Sequence, residues 1–162
     1  MKLIPLTQGL SAQVDDHWFE ELNQHKWFAQ KDKRTLYAAR KIKDNGKTTV
    51  IYMHRVIMNT PDGLYVDHRD HNGLNCLEEN MRNCTNQQNS MNRLPFGASI
   101  YKGVSFDKRK RKSKVVTYIE AKIKLNGKQI RIGRFKTEEE AAHAYDEKAK
   151  EYFGEFANLN FK

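Results

Sequence analysis

Asp67 and His68 stand side by side at the end of an apolar approach, Leu64-Tyr65-Val66, and open a polar run that reaches Arg93. Asparagine recurs along it, at Asn72, Asn75, Asn80, Asn83, Asn86, Asn89 and Asn92. These residue types suit hydrolysis of a phosphodiester. Water attacks phosphorus only when a base takes its proton and positive charge offsets what builds on the phosphate. Histidine serves the first need near neutral pH. A hard cation on one carboxylate and one amide oxygen serves the second, because magnesium takes few protein ligands and shares the substrate phosphate. Asp70 and His71 compete for the same roles, with loop stabilisation as their ordinary alternative.

The elements that must position these groups follow from pattern. Residues 64–66 read as a strand delivering Asp67 and His68 to its end. Adjacent strand residues face opposite ways, so a strand end or a bulge has to aim both at one place. Asn72-Gly73 marks a turn, 81–84 a second strand, and Thr85 with Gln88 the capping box of a helix running to about Asn92. Upstream, Asp15 and Asp16 fit the cap of one or two helical turns carrying Trp18, Phe19 and Leu22. Residues 26–30, 35–42 and 48–52 read as strands, the last two joined at Asp44-Asn45-Gly46, and 53–58 as a short helix ended by Asn59-Thr60-Pro61. His54 and Arg55 on that helix either touch nucleic acid or pack on the sheet. Trp18, Trp27 and Tyr37 read as core.

Charge separates the chain into two parts. Its 162 residues carry 29 Lys/Arg against 20 Asp/Glu, a net +9. Residues 1–95 hold 13 and 11, and residues 96–162 hold 16 and 9, so most of the excess lies beyond the break at Leu94-Pro95-Phe96-Gly97. A basic domain is one footprint of nucleic-acid binding. In the second part, 103–106 reads as a strand, Lys108 to Lys114 as a basic turn, and 117–125 as an alternating strand. Its Ile119, Ala121, Ile123 and Leu125 share one face, and Tyr118, Glu120, Lys122 and Lys124 share the other. Asn126-Gly127 turns it into a returning strand over 128–135. Thr137 with Glu140 caps a helix bearing Ala141, Tyr145, Ala149 and Tyr152, and Gly154 ends it. The fold class is α+β.

Other classes fall away. No stretch approaches the roughly 18 apolar residues a membrane helix needs. Residues 3–14 are interrupted by Pro5, Gln8 and Gly9 and make a poor secretory signal. Two cysteines cannot build a disulfide scaffold. A cytoplasmic location is the expectation. Cys76 and Cys84 with His68 and His71 offer four soft ligands, but the gap of eight between the cysteines lacks a CxxC knuckle, and two reduced thiols are expected instead.

On Met53-His54-Arg55, Val66-Asp67-His68, Asn72-x-Leu74-Asn75, Asn80-Met81-Arg82 and Asn89-x-x-Asn92, the first part resembles the HNH nucleases, in the subgroup found among phage and intron-encoded homing endonucleases. The intervals of 13 from Asp67 to Asn80 and 9 from Asn80 to Asn89 fit that subgroup. The resemblance implies a ββα-metal module over 51–95, preceded by a strand-rich segment over 1–50. By the same resemblance His68 is the general base, and Asp67 and Asn89 are metal ligands. Asn80 then accepts a hydrogen bond from the other nitrogen of His68 and orients the ring. Asn89 stands where the family name has a histidine. An amide oxygen is a poor ligand for zinc or nickel, so magnesium is expected, with manganese as a substitute.

The second part resembles the Apetala/ethylene-response-factor type of DNA-binding domain over 99–162. The matching residues are Tyr101-Lys102-Gly103-Val104, Ala121-x-Ile123, Ile132-Gly133-x-Phe135, Glu139-Glu140-Ala141-Ala142-x-Ala144-Tyr145-Asp146 and Leu159-Asn160-Phe161. This implies a three-stranded antiparallel sheet packed on one helix, binding double-stranded DNA through the sheet. Lys122, Lys124, Gln129 and Arg131 occupy the exposed face where plant members place several Arg and Trp, so no recognition sequence carries over. Lys102, Arg109, Lys110, Arg111 and Arg93 complete the expected DNA contacts. Together the resemblances imply a site-specific, homing-type DNA endonuclease that leaves 5′-phosphate and 3′-hydroxyl ends. It is expected to nick as a monomer, a dimer or sequential nicks being needed for a double-strand break, and to be a monomer or weak dimer with no membrane partner and no small-molecule cofactor. The alternatives are a non-catalytic, sequence-specific DNA-binding regulator and a zinc-stapled adaptor.

Overall fold

A computed structural model describes residues 1–32, 35–111 and 114–161. The chain divides into two compact units, Met1–Asn89 and Ser90–Lys162, and is α+β throughout, with several small antiparallel sheets and few helices. Among the described residues no helix is long and apolar enough to cross a membrane.

The first unit opens with a hairpin, β1 (Lys2–Pro5) and β2 (Ser11–Val14), that the sequence pattern missed. It is too short to show periodicity, yet it buries Ile4, Ala12 and Val14. A 3₁₀ turn (Asp16–Trp18) and α1 (Phe19–Asn23) follow. Asp15 does not cap them as expected. Its Oδ2 accepts the backbone N–H of Glu78 at 2.8 Å instead, tying this turn to a distant loop.

β3 (Phe28–Asp32), β4 (Thr35–Asp44) and β5 (Lys47–Tyr52) form an antiparallel sheet in that order. The turn at Asn45 and Gly46 has φ of 48° and 78°, the left-handed pair that a two-residue hairpin requires. α2 (Met53–Ile57) leads to β6 (Tyr65–His68), a loop, β7 (Met81–Cys84) and α3 (Asn86–Met91). Trp27, Leu22, Ile4, Val14, Met53, Val66, Cys76 and Met81 share one core, so residues 1–50 pack together with β6 and β7.

In the second unit β8 (Val104–Arg111), β9 (Lys114–Leu125) and β10 (Lys128–Phe135) form a sheet of order β10-β9-β8, and α4 (Glu138–Phe153) packs on it. The basic run expected as a turn is mostly strand. β8 continues to Arg111 and β9 begins at Lys114, and Lys112 and Ser113 lie outside the described residues. Alternation of Val104, Phe106, Lys108 and Lys110 across β8 hides the strand, because charge replaces the apolar half of the pattern where no core lies behind it.

Thr137 caps α4 by accepting from Glu140 N, and the Glu140 carboxylate accepts in return from Lys136 N, one residue earlier than a standard capping box. Gly103, at φ 79°, lies so close to the Tyr145 ring that any Cβ would overlap it. Asp146, buried in α4, accepts from the backbone N–H of Asn160 and Phe161 and from the Asn160 side chain. This latches the segment after the helix.

Candidate active site

β6 and β7 pair without a register shift, placing Asp67 across from Arg82 and His68 across from Met81. β6 ends at His68 rather than bulging, so the pair stands at a strand end, where alternation no longer fixes the two side chains to opposite faces. Asp67 is 3% exposed. Its Oδ2 accepts from Arg82 Nε at 2.8 Å and Nη2 at 2.7 Å. Arg82 is thus a site residue that the motif contained but chemistry-led reading passed over; the signal was two residues on paired strands with opposite charge.

His68 is 5% exposed and packs among rings. The His54 ring, from α2, meets it edge-on at 5.2 Å, and the Tyr37 ring, from β4, lies at 5.7 Å. Tyr52 stacks on His54 at 5.4 Å. Burial pushes His68 down to about 4, although Asp70 and Asp67 oppose the shift. Burial, then His68 and Arg55, push His54 down to about 3. Both rings are therefore unprotonated at neutral pH. His54 and Arg55 serve packing: Arg55 donates to the carbonyls of Leu64, Thr60 and Pro61, holding the approach to β6.

The loop between β6 and β7 is organised by Asp70. Its carboxylate accepts from Asn72 N at 2.8 Å, Asn75 Nδ2 at 2.7 Å and Asn80 Nδ2 at 2.9 Å. Partial burial alone would raise this carboxyl, and these bonds hold it below its ordinary value. Asn80, buried, also donates to Asn75 O and accepts from Asp70 N through Oδ1. The bonds seen for its side chain thus run to Asp70 and Asn75. Gly73 presses the loop onto β4: a Cβ there would sit 2.5 Å from Leu36 O and 2.5 Å from the Tyr37 ring.

Asn89 is half-buried on α3, whose first turn is set by the reciprocal bonds Thr85 N to Gln88 Oε1 and Gln88 N to Thr85 Oγ1. The oxygen donors Asp67 and Asn89 suit a hard cation that retains waters and shares a phosphate. Among the described residues no three His, Cys, Asp or Glu gather into a metal cluster. Cys76 and Cys84 are buried, and burial pushes their thiols up to about 12 and about 11, against the thiolate that zinc takes.

In the second unit, the sheet face away from α4 carries a charge network. Glu120 is 2% exposed, although alternation placed it on an open face. Cationic side chains cover it: Lys122 Nζ at 2.9 Å, Arg134 Nε at 2.9 Å and Arg131 Nε at 3.4 Å. Bonds from Lys122 and Arg134 hold its carboxyl down to about 2, against the cost of burial. Arg134 is the residue that sequence reading missed. The ladder shifts between Arg131 and Gly133, so Arg131 and Arg134, three apart, both reach this face. Arg134 also pairs with Asp107 at 3.2 Å and lies 4.1 Å over the Tyr118 ring. Lys124, Gln129, Arg109, Lys110, Arg111 and Arg93 are exposed. Lys102 is half-buried, and its amine donates to Met91 O.

The chain is 43% identical over 100 residues to a protein of Acanthamoeba polyphaga mimivirus named an uncharacterized HNH endonuclease. That match covers 62% of this chain and 49% of the mimivirus protein, so the chain spans about half the length of the curated relative it matches. No family model matches the chain, and no solved structure matches it.

Proposed function

We propose that this chain is a metal-dependent, site-specific DNA endonuclease of homing type, whose first unit cuts and whose second unit binds the duplex. The observation that carries the reading is the order of elements around the motif. A strand ends in Asp67-His68, a bonded loop leads to a paired strand, and a capped helix bears Asn89. The identity to a protein named an HNH endonuclease supports it.

In this mechanism His68 takes a proton from the attacking water, and its unprotonated ring is the form that can. Tyr37 and His54 hold the ring from two sides, and Asn80 holds the loop that leaves it. Asp67 and Asn89 would hold magnesium, which supplies positive charge for the phosphate and the leaving 3′ oxygen when bound. The products are 5′-phosphate and 3′-hydroxyl ends. One such site cuts one strand, so a monomer nicks. The basic sheet of the second unit, an Apetala/ethylene-response-factor-type reader on this proposal, positions the duplex through Lys122, Lys124, Gln129 and Arg131.

A second reading is a non-catalytic, sequence-specific DNA-binding regulator. The observation favouring it is the Arg82 guanidinium held on Asp67, which competes with a cation for that carboxylate. One assay separates the two: supercoiled plasmid with magnesium, the wild-type chain and His68→Ala. Nicking by the wild type, with binding but no nicking by the variant, is expected. Equal nicking by both removes His68 as base, and binding without cutting by the wild type leaves the regulator.

A further inference from the structure

Tyr37 lies on β4, the middle strand of its sheet, and shares a face with Thr35. That face meets the loop after β6. Thr35 Oγ1 accepts from Gly73 N at 3.1 Å. The Cδ1–Cε1 edge of the Tyr37 ring lies against Gly73, where a Cβ would come within 2.5 and 2.6 Å of it. Three rings surround it: His54 edge-on at 4.9 Å, His68 tilted at 5.7 Å and Tyr52 edge-on at 6.1 Å. Contacts on so many sides fix the ring beside His68.

Its surroundings differ from those of the two histidines. His54 and His68 are buried, whereas Tyr37 is half-buried. Burial raises its phenol above the ordinary value, and the nearby carboxylates of Asp32 and Asp67 raise it further. Both carboxylates act through charge, and neither takes its hydrogen bond. Tyr37 is therefore a neutral donor wherever His68 is an unprotonated base.

The reaction needs such a donor. Attack on phosphorus builds negative charge on the non-bridging oxygens, and a donor fixed in advance stabilises that charge without reorganising. Two arginines of this region are committed elsewhere. Arg82 holds Asp67, and Arg55 holds the carbonyls of Leu64, Thr60 and Pro61. A neutral phenol also avoids the repulsion that a cation would feel from a metal on Asp67 and Asn89. We propose that Tyr37 is a catalytic residue, whose hydroxyl donates a hydrogen bond to a non-bridging oxygen of the scissile phosphate. The bond strengthens as the attacking water adds, and the phenol keeps its proton throughout. This rests on the reading of the first unit as the nuclease and adds a group to its site. Arg69, next to His68 in the chain and exposed, is the rival donor.

The test uses the full chain on supercoiled plasmid with magnesium, then on a duplex carrying the mapped nick site. Tyr37→Phe removes the hydroxyl and keeps the ring against His68, His54 and Gly73. Its single-turnover nicking rate is expected to fall about 10–100-fold, the effect of one hydrogen bond to a charged group, with duplex affinity unchanged. Sulfur accepts hydrogen bonds poorly. Sulfur in place of the non-bridging oxygen that Tyr37 faces should therefore slow the wild type more than Tyr37→Phe. Both diastereomers are measured, and the ratio of rates does not depend on how much of the variant is folded. Equal sulfur effects in the two proteins overturn the assignment. So does a rate loss of the same size in Tyr52→Phe, which strips a hydroxyl one ring further from His68. A loss in Arg69→Gln with none in Tyr37→Phe gives the role to the arginine. If the wild type nicks, His68→Ala does not and Tyr37→Phe keeps the full rate, the nuclease reading stands and the donor falls. No nicking by the wild type removes both.

Discussion

Arg82 stands directly across from Asp67 in the β6–β7 ladder and donates hydrogen bonds of 2.8 and 2.7 Å to its Oδ2. Two groups that each would be costly to bury alone are buried together. The Arg82 guanidinium thereby supplies the hydrogen bonds that burial takes from the Asp67 carboxylate oxygen.

Breaking that pair from one side strands a buried charge. Arg82→Met is expected to lose about 3–5 kcal/mol of stability, and Asp67→Leu/Arg82→Met to recover most of it. Urea unfolding of the three proteins checks this. A single variant within about 1 kcal/mol of wild type would mean Asp67 is compensated elsewhere.

Gly73 has no room for a side chain, because the backbone oxygen of Leu36 cannot swing away as a flexible side chain would. Gly73→Ala is expected to cost about 1–3 kcal/mol and to lift the Asp70–Asn75 loop from β4. Amide exchange should then quicken at Asn72 and Leu74, whose N–H groups bond to Asp70 and Asn72.

Glu120 predicts an acid-sensitive second unit. Its carboxyl, ordinarily near 4.5, is held down to about 2, first by Lys122 and then by Arg134. A lowered folded value means that the network's stabilisation is full above the unfolded value and vanishes as pH falls through the folded one. Glu120→Gln should lower the melting temperature by a constant amount above about pH 5, and the gap should close toward about pH 2. A gap independent of pH would show that the variant acts through packing alone.

A chelator should abolish plasmid nicking, magnesium should restore it, and zinc should not. If Asn89 is the ligand proposed above, losing it should cost at least as much as losing an outer partner does. Asn89→Ala is therefore expected to need about 10–100-fold more magnesium for the same rate. An unchanged magnesium requirement would move the second ligand elsewhere.

Features that close within a few residues are legible in the chain itself. The turns at Asn45-Gly46 and Asn126-Gly127, with φ of 48°, 78°, 50° and 78°, depend on backbone freedom at those positions. The capping at Thr85 and Thr137 links residues three apart. Strand alternation placed Ala121 and Ile123 in the core. The N-terminal hairpin escaped because four-residue strands carry too little pattern, and the far half of β8 escaped because lysines and arginines replaced its apolar positions.

Sequence by itself determined the α+β class, the joined pair Asp67-His68, the helix bearing Asn89 and the concentration of charge after residue 96. Tertiary structure decided what those residues touch. Arg82 reaches Asp67 across 15 residues, Gly73 reaches Thr35 across 38, and the rings of Tyr37, His54 and His68 arrive from three different elements. The shift in β10 turned Arg134 onto Glu120 and buried a carboxylate on a face that alternation left open. The physical reason is range. Caps and turns are satisfied by neighbours in the chain, whereas strand register, bulges and ring packing are set by the whole core and leave no local mark.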